Sequence, residues 1–253
     1  RDRSAPSLVI RNMINEGWGS AAGMAKRPEL LETRKRDLRD AHALDPSRIV
    51  THTSAWAPKP EVDDLSKMHM RPFDDSIHMN GWYDVHHAEG PDTWNDGLYK
   101  SPTDYYLNVH NPGEIILWGE EAAISTPMRI GSIAREVQAL PRPGWDGAVF
   151  LDWNRTFEEF IDRKRLRDAF PTVDSLTTAM AAISLEHQGR KIEQIRIHDQ
   201  TDGYVVNGWE AQITENHSGI VDAFRHPKAD PDLIARYNRP LFVAVKLRSQ
   251  VAP

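Results

Sequence analysis

The chain has 253 residues, of which 40% are hydrophobic, and this is enough to bury the core of one large domain. Its formal net charge is −6, which argues against a nucleic-acid partner because such proteins carry excess positive charge. It contains no cysteine, so disulfides, thiolate nucleophiles and thiolate metal sites are excluded. The sequence has no apolar run of about 18 residues, and we therefore predict no membrane span.

Apolar, β-branched segments alternate with helical patterns along the chain, which indicates βαβ units and a parallel sheet. Neither a GxGxxG sequence nor a Walker sequence is present, so nucleotide binding has no support. In chain order the sequence predicts a strand (6–15), a helix closed by Asp45-Pro46 (27–46), a strand (47–56), a loop rich in proline and aspartate (57–75), a strand (76–87), a long polar loop (88–106), a strand (113–124), two helices (156–170 and 173–197), a strand (202–212) and a last helix interrupted by Pro240 (231–251).

Polar and aromatic residues gather at the carboxyl ends of the predicted strands. This placement is typical of a (β/α)8 barrel, in which the loops after the strands form the functional site. We therefore predict an α/β fold of the (β/α)8, or TIM barrel, type. The strand-end residues are Asn15, Glu16, His52, Trp56, Asn80, Trp82, Tyr83, Trp118, Glu120, Glu121, Asn207, Trp209 and Glu210.

Two carboxylates on separate strands suit the hydrolysis of glycosidic bonds. A carboxyl at the end of an apolar strand is partly desolvated, which raises its pKa and lets it donate a proton near neutral pH. A second carboxylate, kept ionised by hydrogen-bond donors, can attack the sugar. A separation of roughly 5–5.5 Å between the two carboxyls gives retention, and roughly 6.5–9.5 Å gives inversion. The tryptophans offer flat faces on which pyranose rings stack.

Six segments carry a family resemblance: "APSLVIRNMINE", "LDPSRIVTHTSAW", "IHMNGWYDV", "IILWGEEAAI", "GYVVNGWEAQ" and "NHSGIVDAFRHPKADPDLIARYNRPL". In this order they resemble strands 4 to 8 and the closing segment of the catalytic barrel of glycoside hydrolase family 2. That family contains β-galactosidases, β-glucuronidases and β-mannosidases. The resemblance covers nearly the whole chain. It implies that residues 1–253 form one domain, strands 4 to 8 of an incomplete barrel that belongs to a longer multidomain chain.

The resemblance implies roles for five residues by their positions in these motifs. Glu16 corresponds to the general acid/base and Glu120 to the nucleophile. Asn15 corresponds to the amide that binds the sugar 2-hydroxyl. Tyr83 corresponds to the tyrosine that hydrogen-bonds the nucleophile, and Trp209 to the tryptophan at the floor of the sugar site.

Other strand-end residues are predicted to bind substrate, and some readings stay open. Glu121 is a rival nucleophile, because side chains alternate along a strand and only one of two adjacent glutamates can point into the barrel. His52 either contacts a sugar hydroxyl or is a core histidine. Tryptophans 18, 56, 82 and 118 either line subsites or pack between strand and helix. The predicted substrate-binding set is Asn15, His52, Asn80, Trp82, Tyr83, Trp118, Glu121 and Trp209.

Two adjacent histidines, His86 and His87, lie close in sequence to Glu89 and Asp92, which raises the question of a metal site. Adjacent histidines point apart on an extended chain, and the spacing matches no metal motif, so we predict neither a metal nor an organic cofactor.

Together these features predict a retaining, exo-acting β-glycosidase of the β-galactosidase type. Its predicted partner is a carbohydrate substrate, with no nucleic acid and no membrane, and homo-oligomerisation of the full-length protein is left open. A periplasmic or secreted location is favoured over a cytoplasmic one. Two alternatives remain: a non-catalytic carbohydrate-binding remnant, and another TIM-barrel hydrolase of the same clan, such as a cellulase or mannanase.

Overall fold

The structure is a computed structural model. In it the chain forms two compact units. The first comprises Arg1–His87, Ser101–Glu121 and His198–Val205, and the second comprises Ala88–Lys100, Ala122–Ile197 and Val206–Pro253. The residues that the structure describes are 8–15, 27–54, 68–79, 82–86, 115–121, 126–197, 201–206, 209–210 and 219–243.

The first unit holds two small sheets. In the first sheet the strand order is β1-β2-β3-β4, with β1 and β2 parallel and β3 and β4 antiparallel to their neighbours. In the second sheet the order is β5-β6-β7, with β5 and β6 parallel. Over the described residues neither sheet closes into a barrel, so the barrel stays a prediction. The strands are β1 (Ile10–Asn15), β2 (Ile49–Ser54), β3 (His69–Met70), β4 (Ile77–His78), β5 (Trp82–His86), β6 (Ile115–Glu121) and β7 (Gly203–Val206).

Helix α1 (Pro28–Leu44) connects β1 to the parallel strand β2 and covers one face of their sheet. Its Leu38 is fully buried against Val50 of β2 and Met70 of β3. Val50 and Met70 are paired in register, and Ile77 of β4 continues the same row. Because side chains alternate along a strand, the residues next to these in each strand, such as Thr51 and His69, lie on the face of the sheet opposite α1.

The turn from α1 to β2 is organised around Asp45. Its Oδ1 accepts a 2.6 Å hydrogen bond from the Ser47 hydroxyl, and its Oδ2 lies 3.0 Å from Arg11 of β1 and 3.3 Å from Arg48. Arg48 also donates to the backbone carbonyl of Leu8. The "DPSR" segment therefore ties the starts of β1 and β2 to the end of α1.

The second unit is built mainly from helices, α2 (Ile130–Ala139), α3 (Gly147–Arg163), α4 (Val173–Ile197) and α5 (Asp232–Ala235), with a 3-10 turn at Arg236–Asn238. Among the described helices none is long and apolar enough to cross a membrane. Apolar side chains of α2, α3 and α4 form its main core: Met128, Ile130, Ile133, Val137, Phe150, Ile161, Val173 and Leu176.

A carboxylate of α4 caps the first turn of α2. Asp174 accepts hydrogen bonds from the backbone nitrogen of Ser132 at 3.0 Å and from its hydroxyl at 2.7 Å. Burial works to raise the pKa of Asp174, but these bonds and Arg135 outweigh it and lower the pKa. Gly131 allows the Asp174 carboxylate to come this close to α2, because a Cβ at position 131 would lie only 3.0 Å from that carboxylate. The first backbone N–H groups of a helix have no partner within the helix, and here a side chain of a neighbouring helix accepts one of these hydrogen bonds.

Most predicted elements are present with shifted bounds. Each of the five predicted strand segments contains a strand, and the helices predicted over 27–46 and 173–197 are confirmed as α1 and α4. Helix α3 begins earlier than the predicted 156–170, because its apolar spacing starts at Phe150, and it ends at Arg163, just before Arg165 adopts a left-handed φ of 55°.

Three predictions of elements were wrong in part. The segment 76–87 is not one strand but contributes β4 and β5 to different sheets, and the loop predicted over 57–75 contains β3. Helix α2 was missed. The last helix ends after one turn and a 3-10 turn, since Arg239, before Pro240, is extended, as residues that precede proline prefer. Residues 244–251 of that prediction lie outside the described part.

Candidate active site

The predicted catalytic residues fall at strand ends of the first unit. Glu120 and Glu121 are the last two residues of β6, and Glu16 follows Asn15, the last residue of β1. Glu16 and Asn80 themselves lie outside the described residues, as do Trp18, Trp56 and the His87-to-Asp92 segment. Trp82 and Tyr83 are backbone positions of β5, paired with Ile115 and Ile116 of β6.

Asn15 joins the carboxyl ends of two parallel strands. It pairs in register with Ser54, the last residue of β2, and the Ser54 hydroxyl donates a 2.7 Å hydrogen bond to Asn15 Oδ1. This bond fixes the amide oxygen, and no acceptor among the described residues engages its nitrogen. The exposed Asn15 amide can therefore donate to an external acceptor such as a sugar hydroxyl.

A polar row crosses the sheet face opposite α1. Thr51 Oγ1 donates to Asn12 Oδ1 at 3.1 Å, and the rings of His69 and His78 stack with centroids 5.4 Å apart. His78 Nε2 lies 2.8 Å from Asp74 Oδ2. This row was not predicted, because two of its members lie in strands of two residues, which are too short to show periodicity. Its members are Asn12, Thr51, His69 and His78, successive register partners across β1 to β4.

A β-bulge lies in β6 just before the predicted nucleophile. Val85 pairs with Trp118 and His86 pairs with Glu120, so Gly119 is an extra residue on β6. The buried carboxylate of Asp84 lies over this glycine, and a Cβ at position 119 would be 2.1 Å from Asp84 Oδ1. The resemblance implied only a small residue before the nucleophilic glutamate, and the structure supplies the physical reason for a glycine here.

His52 lies on the face of β2 that packs against α1. Its side chain is 1% exposed, and neither ring nitrogen has a hydrogen-bond partner among the described residues. Burial lowers the pKa of His52 to about 4, with a further contribution from the positive charge of Arg34 that Asp37 opposes. The imidazole is therefore neutral near pH 7. Its buried position against α1 favours a role in the core over a contact with a sugar hydroxyl.

Of the predicted site tryptophans, two have described side chains, and these two differ in exposure. Trp118 is buried and donates from Nε1 to the Thr201 hydroxyl at 3.0 Å, which ties β6 to the start of β7. This is the packing role. Trp209, in the second unit, is 65% exposed, and its backbone carbonyl accepts from Ile220 and Val221 of the closing segment. An indole exposed to this extent is available to stack on a sugar.

The part of the chain that the structure describes contains no group of three or more histidine, aspartate or glutamate side chains that could hold a metal ion. Comparison with protein-family models, with curated proteins and with solved structures gave no match. The function is therefore inferred from the residues of this chain alone.

Proposed function

We propose that this chain forms the catalytic region of a retaining β-glycosidase similar to those of glycoside hydrolase family 2. One observation carries the proposal. Two predicted catalytic acids occur where parallel-paired strands end, since Glu120 is the last residue but one of β6 and Glu16 follows the last residue of β1. In α/β barrels the carboxyl ends of the strands carry the chemistry.

The local geometry supports the roles proposed for the two acids. Glu120 follows a bulge, a feature over-represented beside active sites. Next to Glu16 in the sequence, the Asn15 amide is held by Ser54 with its nitrogen available. An amide in that position is suited to a hydroxyl of the sugar ring, where a hydrogen bond that strengthens in the transition state contributes to the rate.

The proposed reaction has two displacements. Glu120 attacks the anomeric carbon, the bond from that carbon to the leaving oxygen breaks, and Glu16 gives its proton to that oxygen. A glycosyl ester of Glu120 results. Glu16 then takes a proton from water as the water oxygen attacks the anomeric carbon, which releases Glu120 as a carboxylate and the sugar with its β configuration.

The test is an assay of the full-length protein on aryl β-glycosides. The panel comprises galactoside, glucuronide, mannoside and xyloside, each with a 4-nitrophenyl and a 2,4-dinitrophenyl leaving group. We expect Glu16→Gln to lower kcat/KM on the 4-nitrophenyl substrate by about 10²–10⁴-fold, and far less on the better leaving group, which needs no general acid. The exposed Glu29→Gln on α1 is the matched control.

Variants at 120 and 121 identify the nucleophile. We expect Glu120→Ala to abolish turnover and azide to restore it as an α-glycosyl azide, because azide enters from the face that the missing carboxylate occupied. Glu121→Ala should retain turnover without azide. Hydrolysis unchanged in both Glu16→Gln and Glu120→Gln would overturn the proposal, and sugar binding without turnover in the wild type would favour a carbohydrate-binding remnant.

A further inference from the structure

Asp84 is a buried carboxylate that the reaction above does not use. It lies on β5, is 7% exposed, and faces the backbone of β6 at Gly119. A Cβ on Gly119 would lie 2.1 Å from Asp84 Oδ1, a distance that van der Waals radii forbid, and 3.0 Å from its Cγ, which is tighter than most Cβ contacts. The aspartate side chain thus fills the space that any larger residue at position 119 would need.

The filled space coincides with the irregular point of the strand pair. Up to Trp118 the two strands pair one to one, and beyond it one residue of β5 faces two residues of β6, Gly119 and Glu120. An extra residue bends a strand and re-aims the side chains that follow it. The side chain that follows is that of Glu120, the proposed nucleophile.

We infer that Asp84 is a positioning residue for the nucleophile, which acts by holding the Gly119 bulge in its present shape. This inference rests on the proposed function. The contact is one of shape, so asparagine, which has nearly the same shape as aspartate, should replace it, and alanine should not. Without the Asp84 carboxylate the bulge at Gly119 can relax, and Glu120, which follows it, then moves. A displacement of about 1 Å is enough to lower the rate by up to about 10²-fold.

The contact itself is tested by stability, independently of activity. Gly119→Ala should lower the midpoint of urea unfolding, because the new methyl group overlaps the Asp84 carboxylate. Adding Asp84→Ala removes that carboxylate, so the double variant should unfold at higher urea than Gly119→Ala alone. The matched control is Gly203→Ala on β7, where a Cβ meets only the end of the Leu117 side chain at 3.1 Å. It should show no such recovery in the Asp84→Ala background.

The positioning role is tested by kinetics on the best substrate of the panel. We expect Asp84→Ala to lower kcat by about tenfold or more with KM within about twofold, since an interaction needed only in the transition state lowers kcat and leaves substrate binding intact. Asp84→Asn should retain kcat within about threefold. An active wild type whose kcat is unchanged in Asp84→Ala overturns this inference alone, and so does the absence of stability recovery in the double variant. A wild type that hydrolyses no glycoside overturns the proposed function and this inference together.

Discussion

Lys228 is a lysine whose whole side chain is buried, in the closing segment of the second unit. Its Nζ donates a 2.7 Å hydrogen bond to the backbone carbonyl of Thr126, and the side-chain amide of Gln188 donates to the Thr126 hydroxyl at 3.1 Å. Burial lowers the pKa of Lys228 to about 7, although the negative charge of Asp222 works in the opposite direction. Asp222 is in turn bound by Arg129 at 2.7 Å.

This lysine gives stability a pH dependence of known sign. Between about pH 7 and about pH 10.4, the ordinary pKa of lysine, the unfolded chain holds a proton that the folded chain does not. The free energy of unfolding therefore rises with pH in that window, at up to about 1.4 kcal/mol per pH unit. We expect Lys228→Met to lack this rise when urea unfolding is measured at pH 7, 8, 9 and 10. The exposed Lys164→Met is the control, and a slope for Lys228→Met parallel to the wild-type slope would contradict the prediction.

At the scale of elements, Asp45 connects β1, α1 and β2 through one carboxylate. The Ser47 hydroxyl contributes most to lowering the pKa of Asp45 to about 2, against an opposing effect of burial, and Arg11 adds to it. A folded pKa below the unfolded value means that the stabilisation is present above about pH 3.9 and is lost as pH falls through about 2.

We expect Asp45→Asn to lower the urea midpoint at pH 7, because the amide keeps the shape but loses the charge that Arg11 and Arg48 face. The difference from the wild type should shrink steadily from pH 4 to pH 2, as the wild-type carboxyl takes up its proton. Asp40→Asn, on the exposed side of α1, should not change the midpoint at either pH. A difference that stays constant down to pH 2 would show that the charge of Asp45 is not what stabilises the turn.

The sequence predicted elements that are long or strongly apolar and missed those that are short. Helix α4 runs for 25 residues, and β1 and β2 are apolar, β-branched runs with a helix between them, so all three were located. Strands β3 and β4 have two residues each and depend on a neighbouring strand, since β3 pairs with the edge of β2 and β4 pairs with β3. Helix α2 carries the helical spacing of Ile130, Ile133 and Val137 but no side-chain cap of its own, because Asp174 caps it from α4.

The candidate site was predictable only as far as its residues mark a strand end. Asn15 was predicted because it lies beside Glu16, and the structure adds its partner Ser54. Asp84 was not predicted, because a lone aspartate inside a strand has no pattern, and its importance arises only from Gly119 on the neighbouring strand. Contacts between distant segments carry no local signal, and this is why the sequence left open whether His52 and Trp118 pack in the core or contact a sugar.

At the scale of the whole molecule, the proposed convergence of two carboxylates is not a property of either strand. Glu16 follows a strand of the first sheet and Glu120 is the last residue but one of a strand in the second, so their separation depends on how the two sheets are arranged and not on either strand alone. The sequence supplies the acids and the order of the strands. The stereochemistry of the product reports the separation directly, since a gap that admits water between sugar and carboxylate gives inversion.

We expect retention, measured by proton NMR as the anomer that appears first during hydrolysis of the best substrate. A β product that later mutarotates to the α form requires carboxyls roughly 5–5.5 Å apart and a glycosyl ester on Glu120. Methanol added as acceptor should then yield the methyl β-glycoside, because the ester can be attacked by any small alcohol from the face that water uses. Glu121→Gln, with the neighbouring acid changed, should give the same anomer. An α product formed first would place the carboxyls roughly 6.5–9.5 Å apart and make Glu120 a base that activates water instead of a nucleophile.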